Sequence, residues 1–275
     1  MKNSDISEKI TIHTILIVGS FIMVLPFIWM FLTSIKSLAV SMQIPPVIFP
    51  KEIIWKNYVD VWNKLPFSQF YINTILLVLF RVLFAITLCS MAAYSFARIK
   101  FPGRDLIFMI VLIQLMIPSQ LFIIPQYLIV VKLAWLNTIK ALVLPGIVNA
   151  FGTFLLRQFF LSLPAELEEA GILDGCNRWQ LYWKIMMPLA KSGLVALSIF
   201  TAIYAWKDLL WPLVVNMSIE KMPLSAGLAN LQGQYTTNYP QLMAGSIFAI
   251  TPMIILFFFF QKQFIQGIAT TGSKN

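Results

Sequence analysis

Apolar residues run along this chain in six long stretches, roughly 12–32, 70–96, 106–130, 139–160, 192–215 and 242–262. A helix needs about 20 apolar residues to cross about 30 Å of hydrocarbon, and each stretch meets that length. The pattern predicts an all-α, polytopic membrane protein of six transmembrane helices, one transmembrane domain over 1–275. Prolines punctuate the stretches: Pro26 in the first, Pro118 and Pro125 in the third, Pro145 beside Gly146 in the fourth. Membrane helices tolerate proline where neighbouring helices take up the freed carbonyls, so the pattern predicts helices packed on one another, with the third broken near 118–125.

Composition agrees. The chain is 59% hydrophobic and 11% charged, against about 25% charged in a soluble domain. The N-terminal MKNSDISEKITIH leads into an apolar run too long for a signal-peptide core, with no small-x-small cleavage pattern after it, and is read as a retained first span. The formal charge of +9 comes without a basic patch interleaved with aromatics; in a membrane protein it fits loops that meet anionic lipid. Cys89 and Cys176 suggest neither a disulfide nor a metal site.

Catalytic patterns are missing. His13 is the lone histidine, so no HExxH zinc arrangement exists. No Ser/His/Asp set can be drawn within the spans. The chain also has no G-x-x-x-x-G-K-[ST] loop to cradle ATP phosphates, so an ATP-driven process would need its motor on another chain. The expectation is no enzyme, no metal and no cofactor bound by this chain.

Six spans put both termini on one side. That side carries eleven Lys and Arg, including four of the five arginines, against eight on the other. The positive-inside rule then places the termini in the cytoplasm. On the outer side, WKNYVDVWNKLPF (55–67) suits an interfacial helix and 216–241 reads as an irregular, exposed loop.

The longest polar interruption is Pro164–Pro188, on the inner side. Pro164 suits a first helical turn, and Glu166, Glu168 and Glu169 follow where negative charge favours the helix dipole. Ala165, Ala170 and Gly171 predict a small-residue surface. Asp174-Gly175 is a turn signal, and Asn177 with Gln180 has the spacing of a capping box for a second helix, 178–187, ended by Pro188. Trp179, Tyr182 and Trp183 offer aromatic anchors. Composition alone leaves two readings open, an amphipathic loop lying on headgroups or a docking loop for a partner.

Polar residues inside the spans are the other candidates. Arg81 is costly in hydrocarbon and faces either a substrate or gate, or a structural partner. Asn73, Gln114 and Asn149 suit interhelical hydrogen bonds or a substrate pathway. Trp206 and Asp208, beside Lys207 and Trp211, suit a sugar pathway by stacking and hydrogen bonding, or an aromatic belt.

Glu169-Ala170-Gly171, then Asp174-Gly175, then Ile185-x-x-Pro188, resembles the EAA loop of ABC importer permeases. Gly171 stands where a second Ala is usual and Met187 where Leu is usual. The likeness extends along the chain: AYSFARIKFPGR (93–104), MIPSQLFIIPQYLIVVKLAWLNT (116–138), WKDLLWPL (206–213, Lys207 in place of Asn) and FFFFQKQFIQGIATTGSKN (257–275). Together they are similar to the smaller, six-span permease of carbohydrate importers of the maltose-transporter type. The resemblance implies a type I importer fold with a cytoplasmic coupling helix, in the bacterial cytoplasmic membrane. Implied partners are a second permease subunit, two ATPase subunits that bind ATP and Mg, an extracytoplasmic solute-binding protein and a carbohydrate. Glu168, Glu169, Ala170, Gly171, Asp174, Gly175, Ile185 and Pro188 are implied to couple to the ATPase, and Gln266, Gly267, Gly272 and Lys274 to contact it from the tail. The alternatives are a self-contained transporter or channel, and a permease of the same class for glycerol phosphate or an acidic saccharide.

Overall fold

The computed structural model describes residues 2–233 and 236–272, with side chains described for 8–233 and 236–261. In chain order the helices are α1 (Lys2–Ser34), α2 (Lys56–Lys64), α3 (Phe67–Arg98), α4 (Arg104–Met116), α5 (Ser119–Lys132), α6 (Ile139–Gly146) and α7 (Ala150–Ser162). They continue as α8 (Glu166–Leu173), α9 (Arg178–Leu189), α10 (Lys191–Lys207), α11 (Leu210–Val215), α12 (Leu224–Ala229) and α13 (Tyr239–Gly272). Three are long and apolar enough to cross a membrane unaided, within α1, α3 and α13. Six spans result when the bent pairs α4–α5, α6–α7 and α9–α10 each count as one.

The chain divides into two compact units, 1–66 with 228–253 and 67–227 with 254–275. In the first, the end of α1 is capped by a side chain: Asn57 Nδ2 donates to the carbonyls of Ser34 (2.8 Å) and Lys36 (2.9 Å), groups a helix C-terminus leaves without internal partners. Tyr58 and Trp62 of α2 meet Phe248 of α13 edge-on, with ring centroids 5.6 and 5.3 Å apart. The interfacial helix expected from WKNYVDVWNKLPF is α2. Lys36 is buried, donates to the Val47 carbonyl at 2.6 Å and lies 4.5 Å over the Trp29 ring. Burial pulls its ammonium below the ordinary lysine range.

The second unit is built on α3. Its buried positions recur as Phe67, Phe70, Thr74, Leu77, Arg81 and Ala85, one stripe of a helix. At Ala85–Cys89 the winding widens to π, and the buried set resumes as Cys89, Ser90, Ala93, Tyr94 and Ala97. One cluster at that end joins Tyr94, Leu156, Phe160, Tyr182, Met186 and Leu197; another, at the Arg81 end, joins Leu77, Val130, Leu142, Trp211 and Val215.

Each break has a local cause. Pro118 forces the preceding Ile117 into extended backbone, and α4 meets α5 at 103°. Pro125 causes no second break, because it falls in the first turn of the α-helical part of α5, where a missing N–H costs little. Pro145 withholds a donor near the end of α6. The chain restarts at Asn149, whose Oδ1 accepts from the Gly152 N–H at 2.5 Å, with α7 bent by 47°.

Two expectations are corrected. The fifth apolar stretch is not one helix over 192–215: α10 ends at Lys207 and α11 starts at Leu210, with Asp208 in extended backbone between them. The carboxylate is held by an ion pair described below, which fixes the break. Nor is 216–241 simply irregular and exposed. It contains α12, whose Leu224, Ala226 and Gly227 are buried. Asn73 Nδ2 donates to the carbonyls of Glu220 (2.9 Å) and Met222 (3.0 Å), and Thr74 Oγ1 accepts from the Leu224 N–H (2.8 Å). The polar residues that dock this segment lie far away in sequence, on α3.

Candidate coupling loop and intramembrane ion pair

The 164–188 stretch forms two helices joined by a left-handed glycine. Three glutamates open α8, Gly175 has φ +83°, and Asn177 and Gln180 form both hydrogen bonds of a capping box (2.8 and 2.9 Å). The second helix does not stop at 187. It runs to Leu189, with π winding over Leu181–Met186, and the chain turns by 77° at Ala190. The wider winding suits Pro188, which has no N–H to offer the carbonyl of Lys184.

The loop has an inner and an outer face. Gly171 belongs to the inner one, correcting its place on a small outer surface: it is buried, and a Cβ there would come within 2.6 Å of both Leu181 Cδ2 and Ile185 Cδ1. With glycine at 171 the two methyls pack directly on the α8 backbone, and a larger residue would require them to shift. Tyr182 is also inward rather than an exposed anchor, with its hydroxyl 2.6 Å from Ser90 Oγ on α3. Glu168 is buried as well. Its Oε1 accepts from the Tyr94 hydroxyl (3.0 Å) and from Arg178 Nη1 (3.5 Å), and Oε2 lies 3.9 Å from Arg98 Nε. Arg98 in turn donates to the carbonyls of Phe160 and Leu163 at the end of α7.

The outer face carries Glu166, Leu167, Glu169, Ala170, Ile172, Leu173 and Asp174, then Trp179 and Trp183. Leu173 is 87% exposed and Trp179 60%. No hydrogen bond or ion pair engages the Glu169 side chain among the described residues. Ile185 is half-buried, and Pro188 and Gly175 are exposed. The face is acidic and apolar together, and the residues behind it are bonded to α3 and α7.

A second polar node lies on α3 toward its other end. Arg81 is 8% exposed. Its Nη2 pairs with Asp208 Oδ2 at 2.9 Å, and Nε and Nη2 donate to the Leu142 carbonyl at 3.1 and 2.6 Å. Pro145 leaves the carbonyl four residues back, Ala141, without its helical donor, and Trp211 Nε1 supplies one at 2.8 Å. Ser225 Oγ donates to the Asp208 carbonyl. Of the pathway candidates, the structure thus brings Arg81 and Asp208 together. It sets Asn73 of α3 against the loop before α12, and Asn149 at the cap of α7, where Cys89 Sγ and Thr153 Oγ1 donate to its carbonyl. Trp206 is half-buried near the end of α10. Gln266, Gly267 and Gly272 fall where side chains are not described, and Lys274 lies outside the described residues. Among the described residues no group of His, Cys, Asp and Glu could hold a metal ion.

Sequence reasoning missed Ser90, Tyr94 and Arg98. Their signal was a spacing of four in an apolar stretch, which places all three on one helix face.

The family described as binding-protein-dependent transport system inner membrane component matches residues 85–270, from the π turn of α3 through the coupling loop into α13. The chain belongs to this family. It is a permease subunit of an ABC importer, a component of the bacterial cytoplasmic membrane that works with a second permease, an ATPase and a binding protein. This permease is 35% identical to the arabinooligosaccharides transport system permease protein AraQ of Halalkalibacterium halodurans, over 93% of this chain and 92% of the relative. It is 29% identical to the sn-glycerol-3-phosphate transport system permease protein UgpE of Yersinia enterocolitica, over 93% and 94%. Its fold matches a chain of a bacterial ABC transporter involved in the import of the acidic polysaccharide alginate, with TM-score 0.80 and 27% identity, covering 94% of this chain and 97% of that one.

Proposed function

We propose that this permease forms half of the translocation pore of a carbohydrate importer, with both termini in the cytoplasm and the outer face of α8 seated on an ATPase subunit. The observation that carries the reading is the two-faced loop: Glu168 and Tyr182 bond it to α3 through Tyr94 and Ser90, while Glu169 and Leu173 stay exposed. Closure of the ATPases around ATP and Mg would move the loop as a rigid body and shift α7 and α10, opening the cavity to the outside. A carbohydrate is favoured by the likeness to AraQ over nearly the whole chain. A neutral one is favoured because Arg81, the arginine in the middle of α3 that could attract an anion, is already paired with Asp208.

A second reading, import of glycerol phosphate, is favoured by the likeness to UgpE, and an acidic saccharide by the alginate importer. Reconstitution with the ATPase, the second permease and the binding protein tests all three. ATP-dependent uptake of a neutral oligosaccharide is expected. Uptake of glycerol phosphate or a uronic-acid saccharide in its place would replace the substrate, and uptake by this chain alone without ATP would overturn the reading.

A further inference from the structure

Arg81 links three separate segments of backbone. It stands on α3, and its guanidinium reaches Leu142 on the near side of the break between α6 and α7 and Asp208 at the break between α10 and α11, within the fifth apolar stretch. Gly146, at the break between α6 and α7, lies directly against this side chain. A Cβ there would sit 2.8 Å from Arg81 Nε and 2.9 Å from Cδ. The contacts are directional, and a planar guanidinium fork with two simultaneous acceptors cannot be replaced by a point charge. Breaks in helices are where the two halves of a span can change angle, and here one side chain ties both breaks to a third helix.

We infer that Arg81 is a positioning residue for transport, joining the α6–α7 and α10–α11 breaks so that they move with α3 as one unit. The inference rests on the reading of the chain as an ATP-driven permease. From residue 81 to residue 98 the helix covers roughly 25 Å at ~1.5 Å per residue, and at residue 98 the same helix meets the coupling loop through Arg98 and Glu168. Motion entering at the loop therefore reaches both breaks through α3, provided the Arg81 contacts hold.

The test is the ratio of ATP hydrolysed to substrate taken up by the complete complex in proteoliposomes. Because it is a ratio, it does not move when a variant merely lowers the amount of folded protein. Asp208→Asn removes the counter-charge at constant size, and Arg81→Lys keeps the charge but not the fork. Gly146→Ala leaves both charged groups in place and crowds the guanidinium. Each is expected to raise ATP spent per substrate by about 3- to 10-fold, with Asp208→Glu closer to native than Asp208→Asn. Lys140→Gln, the loss of an exposed charge on the same helix, is expected to keep the native ratio. A native ratio in Gly146→Ala or Asp208→Asn overturns the inference. If the native complex itself shows no ATP-dependent uptake, the permease reading has failed instead, so the two failures are told apart.

Discussion

One helix carries the same device at two levels, with different settings. At each, an arginine of α3 binds carbonyls near a helix end and stands beside an acid. Arg81 takes the Leu142 carbonyl and pairs with Asp208 at 2.9 Å; Arg98 takes the Phe160 and Leu163 carbonyls and stands 3.9 Å from Glu168. A cation near the end of a helix satisfies open carbonyls and suits the dipole, so both arginines cap as well as pair. The acids differ. Asp208 is committed to one guanidinium. Glu168 is shared by Tyr94 and Arg98 of α3 and by Arg178 of the loop itself. The first arrangement fixes a point. The second is shared between α3 and the loop, the arrangement expected of a joint if the loop couples to an ATPase as proposed.

The largest way to break this comparison is Asp208→Ala. It strands Arg81 without its counter-charge, and breaking such a pair costs about 3–5 kcal/mol where burial is complete. Asp208 is 21% exposed, so the loss is expected near the lower figure, read as a fall in the unfolding midpoint of the solubilised complex. Glu168→Ala should cost less, about 1–3 kcal/mol, because the Tyr94 hydroxyl loses its acceptor while Arg98 keeps its carbonyls. Its neighbour sharpens the contrast. Glu169→Ala is expected to leave stability within about 0.5 kcal/mol, yet to lower uptake and substrate-stimulated ATP hydrolysis together. Equal stability losses at 168 and 169 would erase the distinction between inner and outer face. Asn177→Ala is expected to cost about 1 kcal/mol from the lost cap, with the smallest reach. It should raise hydrogen exchange in 178–182 and leave the Arg81 region unchanged.

Much of this was legible in the chain. Apolar run length pointed to an all-helical fold of long apolar helices, Pro118 and Pro145 marked two real breaks, and Asn177 with Gln180 predicted a cap that forms. What stayed hidden depended on contacts distant in sequence. Asp208 reads as part of a continuous apolar stretch until its partner, Arg81, is known. Gly171 reads as a small surface residue, because nothing local reveals that Leu181 and Ile185 lie against it. The buried segment 224–227 reads as loop because its docking groups, Asn73 and Thr74, lie in another span. Glu168 and Glu169 are chemically identical neighbours, and only helix phase separates the one that faces Tyr94 from the one that faces out.

That separation is tested most directly by crosslinking in the assembled importer, in a background where Cys176 is replaced by Ser. Leu173→Cys is on the outer face and 87% exposed; Leu181→Cys is on the inner face and buried. Crosslinks from position 173 to cysteines placed across the ATPase surface, changing in yield when ATP binds, with none from position 181, are the expected result. The opposite pattern, or a position 173 that labels only from lipid-dissolved probes, would contradict a loop that is fastened inward by Glu168 and docks outward through its exposed face.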